Sequence, residues 1–237
     1  MPDPHAFVGA AYAASALDQL EDFVVHLRKS DVVRFMDFGL TGGLLKGERL
    51  MADFHAHFAD RPIEQLTTPY GAVATALRTG EEVWLRTGSL IEAVHASIAL
   101  PGIFRPVTRD GVQLVDGGLV NPVPVSLARA MGAEIVIAVD LSSDLLGRHF
   151  RAKEGHASSD EPETTTLQVI MSSMDIAGVR IARSRLAEDP PEVTITPHMA
   201  HLRLLDFHSG QEGIDEGYRA VERAAQLLAG LAPLVRS

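Results

Sequence analysis

The stretch Val115-Asp116-Gly117-Gly118-Leu119-Val120-Asn121-Pro122 constrains this chain more than any other, because of the elements that lead into it. Leu90–Ser97 has the apolar spacing of a helix, which must stop at Pro101-Gly102. Arg109-Asp110-Gly111 then signals a tight hairpin turn, and Val112–Val115 emerges from it as a strand running directly to Asp116. A carboxylate at a strand end beside two glycines fits two descriptions. Asp-Gly is common turn chemistry. It is also a place where a carboxylate is held by backbone and aimed at a neighbour, as a general base requires.

The rest of the chain alternates helix and strand signals. Ala6–Leu17 is rich in Gly and Ala, and its continuation through Leu20, Phe23, Val24 and Leu27 predicts one helix reaching about Arg28. Val32–Phe38 reads as a strand, Gly39–Gly43 as a loop, and Gly47-Glu48-Arg49-Leu50 opens a helix to about Phe58. Gly39–Gly43 has no following Lys-Ser/Thr, so it is a turn and not a phosphate cradle. Tyr70–Leu77 and Glu82–Arg86 form a hairpin, Pro124–Met131 a helix closed by Gly132, and Glu134–Leu141 an apolar strand suited to a sheet covered on both faces. Residues from Ser142 to Thr166 are polar and read as a mobile loop. Leu167–Leu186 is a long helix, Val193–Thr196 a short strand, and Gln211–Leu231 the last helix. This alternation predicts an α/β layered architecture.

Composition narrows the function. The 237 residues contain no cysteine, so there is no disulfide framework, thiolate nucleophile or cysteine metal site, and a cytoplasmic location is expected. The formal net charge of −10 argues against a nucleic-acid partner and against general attraction to anionic lipid surfaces. Ala6–Leu17, the longest small-apolar stretch, is too short to span a bilayer and lacks the basic flank of a signal peptide.

Ala96-Ser97-Ile98-Ala99-Leu100-Pro101-Gly102-Ile103-Phe104, the Asp116-Gly117-Gly118 turn and Pro124-Val125-Ser126-Leu127-Ala128-Arg129-Ala130-Met131-Gly132-Ala133 together resemble the second half of the patatin-like phospholipase family. The resemblance implies a three-layer α/β/α sandwich and makes residues 1–237 one such domain. Its signature core would be 1–141, with a polar loop at about 142–166 and a helix-and-strand part at 167–237. It implies a lipid acyl hydrolase that works through a Ser–Asp dyad with Asp116 as the base and Gly117 and Gly118 completing the motif, without metal or cofactor. The partner implied is a lipid or acyl-ester substrate met from the aqueous side, with peripheral membrane contact. Oligomeric state is left open.

The family's oxyanion loop and Gly-x-Ser-x-Gly elbow have no counterpart here. Ala6-Phe7-Val8-Gly9-Ala10-Ala11-Tyr12-Ala13-Ala14-Ser15 matches the helix that follows such an elbow, whose five residues would then fall on Met1, Pro2, Asp3, Pro4 and His5. Asp3 stands where the nucleophile belongs. The chain is therefore expected to lack the first strands of the sandwich, to be inactive as written, and to be poorly stable with apolar surface and strand edges uncovered. The alternative is a non-catalytic lipid-binding or regulatory protein on the same fold. A further departure is Ala74-Thr75-Ala76, where Ala-Thr-Asp is usual.

Other candidates have plainer explanations. Ser97 lacks an elbow and flanking glycines, which points to helix packing or capping. Asn121 and Pro122 are expected to shape the turn after Asp116. In Gly117 and Gly118 the expected property is positive φ and room for a facing group. His55 and His57 are two apart on a helix and do not share a face. His198, His201, Asp206 and His208 match no strong ligand spacing, so surface histidines are expected. Arg180, Arg183 and Arg185 read as a solvated helix face.

Overall fold

In a computed structural model the chain is described at residues 4–28, 48–141, 143, 166–199, 201–202, 206 and 209–232. The expected strand Val32–Phe38, the loop Gly39–Gly43, nearly all of the polar stretch 142–166, His208 and positions 1–3 lie outside the described residues. The elements are α1 (Pro4–Ala13), α2 (Leu17–His26), α3 (Glu48–His57), β1 (Ala72–Ala76), β2 (Glu82–Leu85), α4 (Leu90–Ser97), β3 (Val107–Arg109), β4 (Val112–Asp116), α5 (Val125–Ala130), β5 (Ile137–Val139), α6 (Thr166–Glu188), β6 (Val193–Ile195) and α7 (Gly210–Leu231). Helices and strands interleave, and the α/β class holds.

The described strands form two sheets. One is antiparallel with order β2-β1-β4-β3, and the other pairs β5 with β6 in parallel. The antiparallel sheet is made of two hairpins. Between β3 and β4, Asp110 and Gly111 take φ of 51° and 77°, the mirror-image turn that matches strand twist and that Asp-Gly favours. β1 lies in the middle, every residue of it buried, with Ala74 opposite Asp116 and Thr75 opposite both Glu82 and Val115.

Helix α4 covers this sheet. Ser89 caps it by accepting from the Glu92 N–H at 3.0 Å, and Asp60 receives the Ser89 hydroxyl at 2.8 Å. Leu90, Ile91, Ala93, Val94, Ala96 and Ser97 are all buried, so the helix is enclosed on most of its surface. The main core joins α4 to α1, α2, α3 and β1, with Phe7, Phe23, Phe54 and Phe58 forming an aromatic group whose ring centroids lie 4.3–6.2 Å apart. Tyr70 Oη donates to the Ala6 carbonyl at 3.0 Å and fixes the start of α1 against the lead into β1. Among the described residues no helix is long and apolar enough to cross a membrane.

Two expectations are corrected. The single helix from Ala6 to Arg28 is two helices, separated at Ser15, whose φ of 56° no α-helix accommodates. The apolar run Glu134–Leu141 contributes only Ile137–Val139 as strand, because β6 offers three residues for pairing. Ile137 is 50% exposed, so this strand is not covered on both faces.

Candidate active site

Asp116 ends β4 and is 1% exposed. Its backbone is held on both sides: its N–H donates to the Ala99 carbonyl at 3.0 Å, and its own carbonyl accepts from Thr75 Oγ1 at 2.7 Å. The Ala99 contact joins the Ala-Ser-x-Ala-x-Pro-Gly stretch to the Asp-Gly-Gly turn, one being the backbone partner of the other. Asp116 also caps the 3-10 turn Gly117–Leu119, with Oδ1 accepting from the Gly118 N–H at 2.7 Å. A carboxylate gripped in this way has a set direction.

The glycines earn their place by close approach and not by positive φ, which neither adopts. A Cβ on Gly117 would lie 2.6 Å from the Val73 carbonyl carbon and collide with its oxygen. On Gly118 it would meet Asp116 Oδ1 at 2.9 Å. The space beside Gly117 is thus filled by β1 and not left open for a facing group.

Asn121 is 1% exposed, and its N–H closes the turn on the Gly117 carbonyl at 2.9 Å, so its expected turn-shaping role stands. Its side chain does more. Nδ2 donates to Glu82 Oε1 at 2.8 Å and lies 3.2 Å from Ser126 Oγ. Glu82 Oε1 also takes the Trp84 indole N–H at 2.7 Å, and Arg185 Nη2 reaches Glu82 Oε2 at 3.0 Å. Arg185 is therefore not part of a purely solvated face; Arg180 and Arg183 are exposed. Sequence reasoning missed Glu82. In a hairpin strand a glutamate looks like an ordinary surface residue, and its cation lies on α6, far along the chain.

Ser97 is fully buried at the end of α4, and its Oγ has no hydrogen-bond partner among the described residues. That is packing. His95, on the same helix, has an imidazole whose pKa burial pushes below the usual range, with His55 adding to the effect. Among the described residues no three His, Cys, Asp or Glu side chains cluster as a metal site. A cavity of about 310 Å³ lies between α1, α2, α3 and α4, walled by residues such as Phe7, Ala11, Leu20, Phe54, Phe58 and Val94. Asp116 does not line it.

Residues 6–129 match the family model for patatin-like phospholipase. The chain belongs to the patatin-like phospholipase family. An uncharacterized NTE family protein of Mycobacterium tuberculosis is 33% identical over 185 residues, 76% of this chain and 49% of that protein. Patatin-like phospholipase domain-containing protein 7 of Mus musculus is 42% identical over 88 residues, 36% of this chain and 6% of that protein. Protein 6 of the same description from Homo sapiens is 37% identical over 102 residues, 42% of this chain and 7% of that protein. The chain spans about half the length of the mycobacterial relatives it matches.

Proposed function

We propose that Asp116 is the general base of a Ser–Asp dyad that hydrolyses lipid acyl esters. These 237 residues contain no Gly-x-Ser-x-Gly and turn over ester only when such an elbow is joined ahead of Ala6. The observation that carries the reading is the grip on Asp116: backbone fixed by Ala99 and Thr75, one carboxylate oxygen fixed by Gly118. Family membership supplies the reaction class.

In that reaction the serine hydroxyl attacks the ester carbonyl carbon while its proton passes to the Asp116 carboxylate. The tetrahedral intermediate collapses, the C–O bond to the alcohol breaks, and Asp116 returns the proton to the departing alkoxide. Water then attacks the acyl-serine, giving its proton to Asp116, and the serine leaves with that proton as the fatty acid is released. A carboxylate is a weak base, so direction and partial desolvation must compensate, and the buried turn provides both.

Two polypeptides test this: the 237-residue chain, and a form carrying a strand and a Gly-x-Ser-x-Gly elbow of the family pattern ahead of Ala6. The first should neither hydrolyse a p-nitrophenyl ester nor react with a fluorophosphonate probe. The second should do both at the elbow serine, and Asp116→Asn should cut turnover by ~10²-fold or more with the fold intact. Probe labelling of the 237-residue chain at a defined serine, or an Asp116→Asn variant within a few-fold of its parent, would overturn the reading. Failure of the elbow-carrying form to label would favour a non-catalytic lipid-binding protein.

A further inference from the structure

The geometry points to Glu82 as the residue that positions the Asp116 turn, acting through the Asn121 side chain, an assignment that rests on Asp116 being the base proposed above. Two routes connect the two carboxylates. Along the sheet, Glu82 pairs in register with Thr75, whose hydroxyl donates to the Asp116 carbonyl at 2.7 Å. Around the turn, the Gly117 carbonyl accepts from the Asn121 N–H at 2.9 Å, and Asn121 Nδ2 donates to Glu82 Oε1 at 2.8 Å. The routes close into a ring that begins and ends at Asp116. Such a ring fixes the turn from both ends, which a single hydrogen bond does not.

Glu82 is suited to anchor it. Its side chain is 16% exposed and its carboxylate is held by three donors: Asn121 and Trp84 on one oxygen, Arg185 on the other. The Arg185 contact is charge-assisted, so it holds the carboxylate plane in place more firmly than a neutral donor does. Arg185 comes from α6, beyond the residues 6–129 that match the family model. The ring is thus braced by an element outside that match. Asn121 is buried at 1% exposure, so losing Glu82 leaves its amide in the interior with only the longer 3.2 Å bond to Ser126 Oγ. The turn that carries Gly118, and with it the grip on Asp116 Oδ1, then relaxes.

The test uses amide hydrogen exchange on the 237-residue chain and kinetics on the elbow-carrying form. Glu82→Ala should speed exchange at the Gly118 and Asn121 amides. In the elbow-carrying form it should lower kcat per titrated active site by about 10- to 100-fold with KM unchanged, the scale of a small misplacement of a reacting group. Glu82→Gln keeps an acceptor for Asn121 and should recover most of both. Arg185→Gln, at a half-exposed helix position, should move both readouts the same way by a smaller factor, and it decides the matter if Glu82→Ala does not fold. Unchanged exchange and kcat in folded Glu82→Ala, or in Arg185→Gln when it must decide, would overturn the assignment. So would a Glu82→Gln variant as impaired as Glu82→Ala. If Asp116→Asn retains activity, the base assignment fails instead, and exchange at Gly118 and Asn121 alone judges whether Glu82 holds the turn.

Discussion

At the scale of single residues the two glycines after Asp116 look alike in sequence and differ in what they exclude. Gly117 lies against the backbone of Val73, where a methyl group meets the carbonyl carbon at 2.6 Å and Val73 Cβ at 3.1 Å. Backbone in the middle of a sheet does not move aside. Gly117→Ala should therefore cost about 2–3 kcal/mol, read as a lower urea midpoint at unchanged slope. Gly118 faces only the end of the Asp116 side chain, at 2.9 Å. Gly118→Ala should leave stability within about 1 kcal/mol, the range of a mild local change, because a carboxylate can rotate away. That rotation removes the base from its set direction, so the elbow-carrying form should lose activity out of proportion to its stability. Equal stability losses in the two variants would contradict this distinction.

At the scale of elements, α1 ends in a complete left-handed cap. The Ser15 N–H reaches the Tyr12 carbonyl at 3.0 Å, and the Ala16 N–H reaches the Ala11 carbonyl at 2.7 Å. Position 15 carries φ of 56°, which glycine adopts freely and serine does not. Ser15→Gly should thus stabilise the protein by about 0.5–1 kcal/mol, the strain relieved outweighing the added freedom of the unfolded chain. A thermal midpoint that falls instead would show that the Ser15 side chain makes a contact worth more than the strain. The same bend explains why one periodic apolar run becomes two helices. Periodicity records which face is buried, and Leu20, Phe23 and Val24 serve the same core after the chain has turned.

At the scale of the whole molecule, a buried carboxylate helps to join α7 to the segment that follows β6. Glu216 accepts the His198 N–H at 2.7 Å and pairs with Arg223 at 2.7 Å and Arg219 at 3.0 Å. These contacts, the His198 N–H foremost and then the two arginines, hold its pKa down to about 2. A carboxyl whose pKa is lowered on folding adds stability above its unfolded value, and that stability is lost as pH falls from about 4.5 toward 2. Glu216→Gln should consequently be less stable than the parent at neutral pH and should show a shallower decline across that window, the two curves converging near its acid end. Melting profiles at stepped pH check it, and superimposable acid limbs would remove Glu216 from the account.

Much of this was legible in one dimension. The hairpin turning at Asp110-Gly111, the end of α4 before Pro101-Gly102 and the delivery of Asp116 by β4 all follow from local rules, because backbone conformation, turn chemistry and side-chain periodicity are written in neighbouring residues. The family signature was legible for a related reason. Its two segments lie close in sequence and touch in space, through the Asp116 N–H and the Ala99 carbonyl. What only the tertiary structure decided depends on residues far apart. Gly117 is required by Val73, Asn121 by Glu82, Glu82 by Arg185 and Glu216 by His198. Each of these partners comes from another element, and no local pattern encodes it. The length of β5 was hidden for the same reason, since a strand runs only as far as its neighbour offers backbone to pair with, and β6 offers Val193–Ile195.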